Sequence, residues 1–429
     1  MNPRNLFMDL SPLRESPAYR RFWLSGIAAG IGVQLTAVAI GIQVYSLTGS
    51  TAAVAMVGAL ALGPMILVGI VGGTFVDAFD RRRVLIGASC AALIAPVGIA
   101  ILAWNEVETL WMYYAFTTLS SAAGSLVGAA RFAIHPRLVR RQLLPAVAAL
   151  SAVSAGLQAA GGPALAGLLV ATVGYAWTYT IDVVLFMVGF WGVVSLPAIP
   201  PRSESRLGLM ALKDGLRFLQ GATNLRTAIG LHVVAFTFGR PYAIFPAVGI
   251  LLIGGGEWTV GLLTASGAIG VVASSVLSGR FGNIRRHGLA ISLSTMVFAV
   301  CVALLGAATL YLEHFGQPVN PYRVNLVALL LLCSLTALIG AADNVAGIFR
   351  TTMMQSATPD EYRGRLQGIY TLVLTAGPRL GDTYIGFVAA MFTLWFPQLL
   401  GALLILCVAG LYLRLRPSFR QYDGLDPHP

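Results

Sequence analysis

Six ionisable residues lie inside long apolar stretches of the chain: Asp182, His232, Arg240, Asp343, Arg379 and Asp382. A charge at the centre of a bilayer costs about 2.5–3.5 kcal/mol on insertion scales, so such groups are kept where they bind, pair or move charge. The chemistry open to them is proton exchange, ion pairing and recognition of a polar cargo. A carboxylate in apolar surroundings holds its proton until a cation comes close, and that competition can tie proton binding to cargo or conformation. Arg379 and Asp382 are three positions apart and share a helical face. They form either a permanent ion pair or a pair that separates during transport. Arg240 follows Gly239 and precedes Pro241, with Pro246 beyond; a proline removes a backbone donor and bends a helix. Breaks at mid-membrane depth line cavities in transporters, which makes Arg240 the candidate for meeting an anionic or carbonyl-bearing cargo. Neutralising Asp343 or Asp382 is its alternative role. Asp182, Asp343 and the amide Gln34 complete the candidates for cargo or proton binding, with His232 read as structural.

The rest of the chain says what must hold these residues. It has 429 residues, 57% hydrophobic and only 10% charged, with 48 glycines and a net charge of +11. A soluble domain carries about 25% charged residues, and disordered chains are poor in apolar ones, so both classes are excluded. Stretches long enough for a hydrocarbon core of about 30 Å predict twelve spans: 22–47, 52–76, 84–104, 109–131, 146–171, 174–197, 226–252, 258–279, 288–312, 324–349, 366–391 and 393–414. The start is polar, with no apolar signal region, and is expected to stay inside. Cytoplasmic loops collect Lys and Arg. Arg20 and Arg21, Arg81 to Arg83, Arg131 to Arg141, Arg202 to Arg226, Arg280 to Arg286, Arg350 to Arg365 and Arg414 to Arg420 fall in every second connection. Both termini are therefore expected in the cytoplasm, and the basic excess reads as topology rather than as a nucleic-acid surface.

Small residues let helices approach where no hydrophobic effect presses them together. Gly26/Gly30, Gly69/Gly73, Gly124/Gly128 and Gly377/Gly381 have the spacing for such contacts. Cys90, Cys301, Cys333 and Cys407 sit in apolar runs and read as small core residues rather than disulfide partners.

Two six-helix halves are expected, residues 1–200 and 226–429, joined by a cytoplasmic linker at 201–225. Gly162-Pro163-Ala164-Leu165-Ala166-Gly167 in the fifth span answers to Gly377-Pro378-Arg379-Leu380-Gly381-Asp382 in the eleventh, and Gly73 to Asp77 answers to Gly279 to Asn283. Matching positions run the same way across the membrane, the pattern of a parallel repeat in transporters.

These residues carry a resemblance over nearly the whole chain. Gly73-Thr-Phe-Val-Asp77-Ala-Phe-Asp80-Arg81-Arg82-Arg83 resembles the major facilitator superfamily signature between helices 2 and 3. Gln355 to Arg365 resembles the branch that includes the enterobactin exporter and related drug:proton antiporters, and Gly162-Pro163 with Gly167 is similar to the helix-5 antiporter motif, with Ala166 replacing one glycine. The resemblance implies an all-α polytopic membrane protein with the twelve-helix major facilitator fold. It implies export of an amphipathic small molecule, a siderophore or hydrophobic antibiotic, by alternating access with proton antiport. It also implies a gating role for Gly73, Asp77, Asp80, Arg81 and Arg82. The sequence departs from the drug-antiporter pattern in having Ser120 where helix 4 usually carries arginine, and no carboxylate in helix 1.

The expected partners are a small-molecule substrate, protons and membrane lipids, with the chain acting as a monomer in the bacterial inner membrane. No P-loop and no Cys/His metal spacing occurs. Neither a cofactor, a bound metal nor enzymatic activity is expected, and the proton gradient is the energy source. An importer of the same fold and a non-transporting sensor or lipid-handling protein remain as alternatives.

Overall fold

The computed structural model describes residues 10–197, 209–278, 284–319, 323–426 and 428, and within the helices omits some side chains, including those of 70–78. The repeat at Gly279 to Asn283 and the linker stretch 201–208 lie outside these residues, as do the side chains of Gly73 and Asp77. The major helices are α1 (Pro17–Thr48), α2 (Thr51–Ala78), α3 (Arg81–Trp104), α4 (Leu110–Leu138), α5 (Leu144–Val194), α6 (Leu209–Gly221), α7 (Thr223–Gly239), α8 (Glu257–Val276), α9 (His287–Phe315), α10 (Leu326–Ala357), α11 (Asp360–Met391) and α12 (Phe396–Leu415).

Each of the twelve expected spans has a helical counterpart. α5 is 51 residues long, about 77 Å at 1.5 Å per residue and far beyond one bilayer. Gly174 resolves the excess. Its φ of 78° is open to glycine without strain, and it divides α5 into two limbs that match spans 146–171 and 174–197. Among the described residues, nine stretches are long and apolar enough to cross a membrane, with both limbs of α5 counted as one. α4 and α11 supply the remaining spans at 29 and 32 residues, with more polar faces.

The span at 226–252 is broken more deeply than a bend. α7 ends at Gly239 and Arg240 is extended; a 3-10 turn follows at Tyr242–Ile244, then short helical turns to Ile253. Two basic residues are also relocated. α4 continues to Leu138 and α10 to Ala357, so Arg131 and Arg350 are helix residues, not loop anchors. An arginine lowers the local hydropathy that ends an apolar window, yet it is a good helix former and does not end the helix.

The described chain packs as two compact units, 1–40 with 63–208, and 41–62 with 209–429. Residues 41–62, read from sequence as part of the first half, thus pack with the second unit. In the first unit Phe22, Leu85, Ala130, Ile134 and Val193 form a buried cluster, and the Trp23 indole N–H donates to the Leu150 carbonyl at 3.0 Å. In the second, α7 and α9 to α11 enclose Leu225, Leu231, Ile291, Phe349 and Met353. The linker region contributes α6, whose Gly215 and Leu219 are buried. Phe218 stacks on Tyr362 with ring centres 4.7 Å apart, and Asp214 lies 3.6 Å from Arg365.

The glycine pairs divide by role. A Cβ on Gly381 would strike the Phe236 carbonyl, so Gly377/Gly381 does serve close packing. Gly124 and Gly128 face open space, and at Gly26 and Gly30 the missing side chains make room for the side chains of Arg131 and Gln158. These four positions form space rather than helix contact. The cysteines also separate: Cys301 is buried and Cys333 partly so, but Cys90 and Cys407 are exposed, which corrects the core assignment for those two.

A tight crossing joins α8 and α10, where a Cβ on Gly270 would meet the Ala337 carbonyl and one on Gly340 the Gly267 carbonyl. Backbone cannot rotate aside as a side chain can. Gly270→Leu is expected to lower stability by about 1–3 kcal/mol, the usual range for overpacking, read as a depressed thermal midpoint in detergent. Gly63→Leu, at an exposed position with open space, is expected to leave the midpoint unchanged.

Candidate functional site

In the second unit the break after α7 delivers Arg240 to α11. Its Nε donates to Asp382 Oδ1 at 3.2 Å, and the two side chains are 27% and 18% exposed. The guanidinium also lies 4.3 Å from the Tyr242 ring centre. Gly381 permits this approach, because a Cβ there would lie 3.1 Å from Arg240 Cβ. Arg379 and Asp382 share a face as their spacing predicts, but the ion pair forms between Asp382 and Arg240. Arg379 has no carboxylate within ion-pair distance among the described residues. Gly58 of α2 faces this group, 3.5 Å from Arg379 Cδ and 3.8 Å from Asp382 Cβ as measured from a built Cβ. Two arginines thus surround one carboxylate, leaving a net positive cluster. Such a cluster can exchange a proton for a cation at Asp382 or attract an anion.

A second group lies where α7, α10 and α11 meet. Asp343 Oδ1 is 3.7 Å from His232 Nδ1 and 4.0 Å from Arg350 Nη2. Arg350 is buried and its Nε donates to the Tyr370 hydroxyl at 2.9 Å. His232 is buried too, and neither ring nitrogen has a hydrogen-bond partner; its ring packs 4.3 Å from that of Phe236. Arg350 was missed as a site residue, although it stands two helical turns from Asp343 on the same face. Next to Asp343, Asn344 donates to the hydroxyls of Ser274 and Ser275 at 3.0 and 2.9 Å.

The first unit treats its carboxylate differently. Asp182 is buried on the second limb of α5 and accepts a hydrogen bond from the Thr36 hydroxyl at 2.5 Å. Its Oδ1 has no partner and faces Gly32 of α1. No cation lies within ion-pair distance of Asp182 among the described residues. The same unit holds a partly open cavity of about 520 Å³ lined by Gln34, Arg131, Gln158 and Phe190, with Gly124 and Gly128 in its wall. Gln158 Nε2 donates weakly to the Gly26 carbonyl at 3.4 Å. Arg131 lies 4.7 Å from the Phe22 ring centre, a contact worth about 0.5–2 kcal/mol.

The profile of the transmembrane secretion effector family matches residues 8–428. The chain belongs to that family, within the major facilitator superfamily. Among curated proteins it is similar to the enterobactin exporter EntS of Shigella boydii serotype 18 (strain CDC 3083-94 / BS512), with 28% identity over 400 residues, 92% of this chain and 90% of that protein. The enterobactin exporter EntS of Escherichia coli O81 (strain ED1a) is 27% identical over the same shares. Solved structures agree on the fold. A POT family transporter in complex with 5-aminolevulinic acid superposes with a TM-score of 0.73 at 9% identity, covering 94% of this chain and 97% of that one. A bacterial homologue of the iron transporter ferroportin in its inward-facing state gives 0.66 at 12% identity, covering 92% and 98%. The protein is a multi-pass membrane transporter, not an enzyme.

Two motifs of this secretion effector family member can be placed. Asp80 caps α3, accepting from the Arg83 backbone N–H at 3.0 Å, an arrangement that satisfies a free amide of the first turn. Arg82 donates to the Val194 carbonyl at the end of α5, at 2.8 Å. Arg81 opens α3 beside them. In the helix-5 motif, a Cβ on Gly162 would meet Gln34 Cβ and lie 3.0 Å from the Ile31 carbonyl, so this glycine seats α5 directly on α1. Pro163 follows inside the helix and Gly167 is buried.

Breaking the Arg240–Asp382 pair from either side strands a partly buried charge. Arg240→Gln and Asp382→Asn are each expected to destabilise the transporter, and the double variant less than their sum. Thermal unfolding of the four proteins should give a coupling energy of about 0.5–3 kcal/mol; strict additivity would mean that the two groups do not interact.

Proposed function

We propose that this transporter exports an amphipathic siderophore, or a molecule of similar polarity, from the cytoplasm across the bacterial inner membrane by alternating access, in exchange for protons. The likeness to enterobactin exporters across 92% of the chain carries the choice of cargo. The Arg240–Asp382 pair at the broken helix supports the coupling. Ionised Asp382 can accept a hydrogen bond from the cargo while Arg240 meets a carbonyl or anionic oxygen of it; a proton that neutralises Asp382 removes that acceptor, so proton and cargo occupy the site in alternation. Loss of the proton restores the Arg240–Asp382 pair and readies the site for the next cargo. Each charge moved through the membrane potential contributes about 2.3 kcal/mol per 100 mV, so the gradient can drive the cycle with no cofactor or bound metal. The reading takes both termini as cytoplasmic and the chain as a monomer in contact only with cargo, protons and lipid.

Inverted membrane vesicles containing the protein are expected to accumulate siderophore when a proton gradient is imposed, and a deletion strain to secrete less. Accumulation in right-side-out vesicles instead would establish import. Asp382→Asn is expected to abolish gradient-driven flux while the protein remains folded in the membrane. Undiminished driven flux in that variant would remove Asp382 from the coupling step.

A further inference from the structure

The cavity of the first unit shares no lining residue with the Arg240 cluster, and its chemistry is specific. Its one cation among the described residues, Arg131, reaches the notch left by Gly26, where a Cβ would meet its Nη1. Phe22 covers the guanidinium from one side, but no carboxylate is within ion-pair distance among the described residues. A partly buried cation with no carboxylate partner keeps an unneutralised charge beside apolar groups, which is unfavourable, so the arrangement is incomplete as it stands. Beside it, Gln34 and Gln158 offer amide groups, and Gln158 occupies the notch at Gly30. The opposite character appears in the wall. Gly124 and Gly128 leave open space there and Phe190 adds an aromatic side chain to the lining. At about 520 Å³ the cavity falls within the range of about 300–1,000 Å³ usual for small-molecule sites, which are apolar with a few convergent polar groups.

We infer that this cavity is a binding site for an amphipathic anion, in which Arg131 pairs with a carboxylate, phenolate or phosphate oxygen while a flat apolar body lies against Phe190, Gly124 and Gly128. The same oxyanion chemistry is found on a small-molecule cargo and on a lipid headgroup. Its identification as cargo rests on the export reading; the existence of the anion site does not.

Calorimetric titration of the purified full chain in phosphatidylcholine nanodiscs tests it, with 2-naphthoate as the anion and 2-naphthamide as its uncharged counterpart. The wild type is expected to bind the acid at least tenfold more tightly than the amide. Arg131→Gln should erase that preference and leave amide binding intact, whereas Gly128→Leu, which fills the open wall, should weaken both ligands at least tenfold. Equal binding of acid and amide by the wild type, a preference that persists in Arg131→Gln, or unchanged affinities in Gly128→Leu would each overturn the site. Should Arg131→Gln fail to fold, the wild-type ratio and Gly128→Leu decide the matter. Repeating the titration in phosphatidylglycerol nanodiscs separates the two sources. Competition in the wild type that disappears in Arg131→Gln identifies a lipid phosphate as occupant, and its absence leaves the small-molecule anion; either result supports an oxyanion site. No gradient or flux enters these measurements, so they fail independently of the vesicle assay.

Discussion

Lipid cannot hydrogen-bond a peptide group, and this constraint shapes the whole chain. Each spanning segment must satisfy its own backbone, so the described chain is built from long helices, and departures from helix occur where other groups compensate. At Gly174 the break sits between two spanning limbs. At Arg240 to Tyr242 it lies within a span, where a prolyl nitrogen has no hydrogen to satisfy and the following turns tighten into 3-10 form. The second kind of break places a charged side chain where an intact helix would have kept its own hydrogen-bond ladder.

The same solvent decides how helices meet. Apolar side chains gain little from leaving lipid for protein, so association depends on close backbone approach and polar contacts. The α8–α10 crossing shows the first in pure form, since Gly270 and Gly340 each bring a carbonyl of the other helix within contact of the missing Cβ. The Thr51 hydroxyl, donating to the Gly386 carbonyl at 2.9 Å, shows the second. Near it, Gly386 admits Ala55, so small residues and a hydroxyl act together.

Span positions were legible in the sequence because hydropathy and loop charge report directly on the lipid boundary. The break at Arg240 was legible as well, through its flanking Gly239 and Pro241. Arg131 and Arg350 were not. Both stand where an apolar window ends, and a charge there signals a loop in a topology count even when the helix continues for another one or two turns. The Gly-x-x-x-Gly spacing was ambiguous for a related reason: at Gly377 and Gly381 it seats α11 on α7, whereas at Gly26 and Gly30 it admits two polar side chains. Spacing reports that side chains are missing. What fills the gap depends on the facing helix, and a single sequence does not state which residue that is.

Comparison of the two repeats separates packing from chemistry. Gly162 seats α5 against α1 beside Gln34, while in the second repeat the close contact moves one turn on, to Gly381, which answers to Ala166 and seats α11 against α7 beside Arg240; each repeat thus makes a close glycine contact, though not at the same position. Ala164 and Gly167 nevertheless become Arg379 and Asp382 in the second. Since an uncharged segment suffices to make the helix contact, the added pair is not required for it, and its insertion into lipid is costly. The carboxylates follow the same division. Among the described residues Asp182 in the first unit meets a hydroxyl and no cation, whereas Asp382 in the second meets an arginine placed by a broken helix. One fold repeat therefore supplies two electrostatic environments, and it is this difference, rather than the shared packing, that distinguishes the two units chemically.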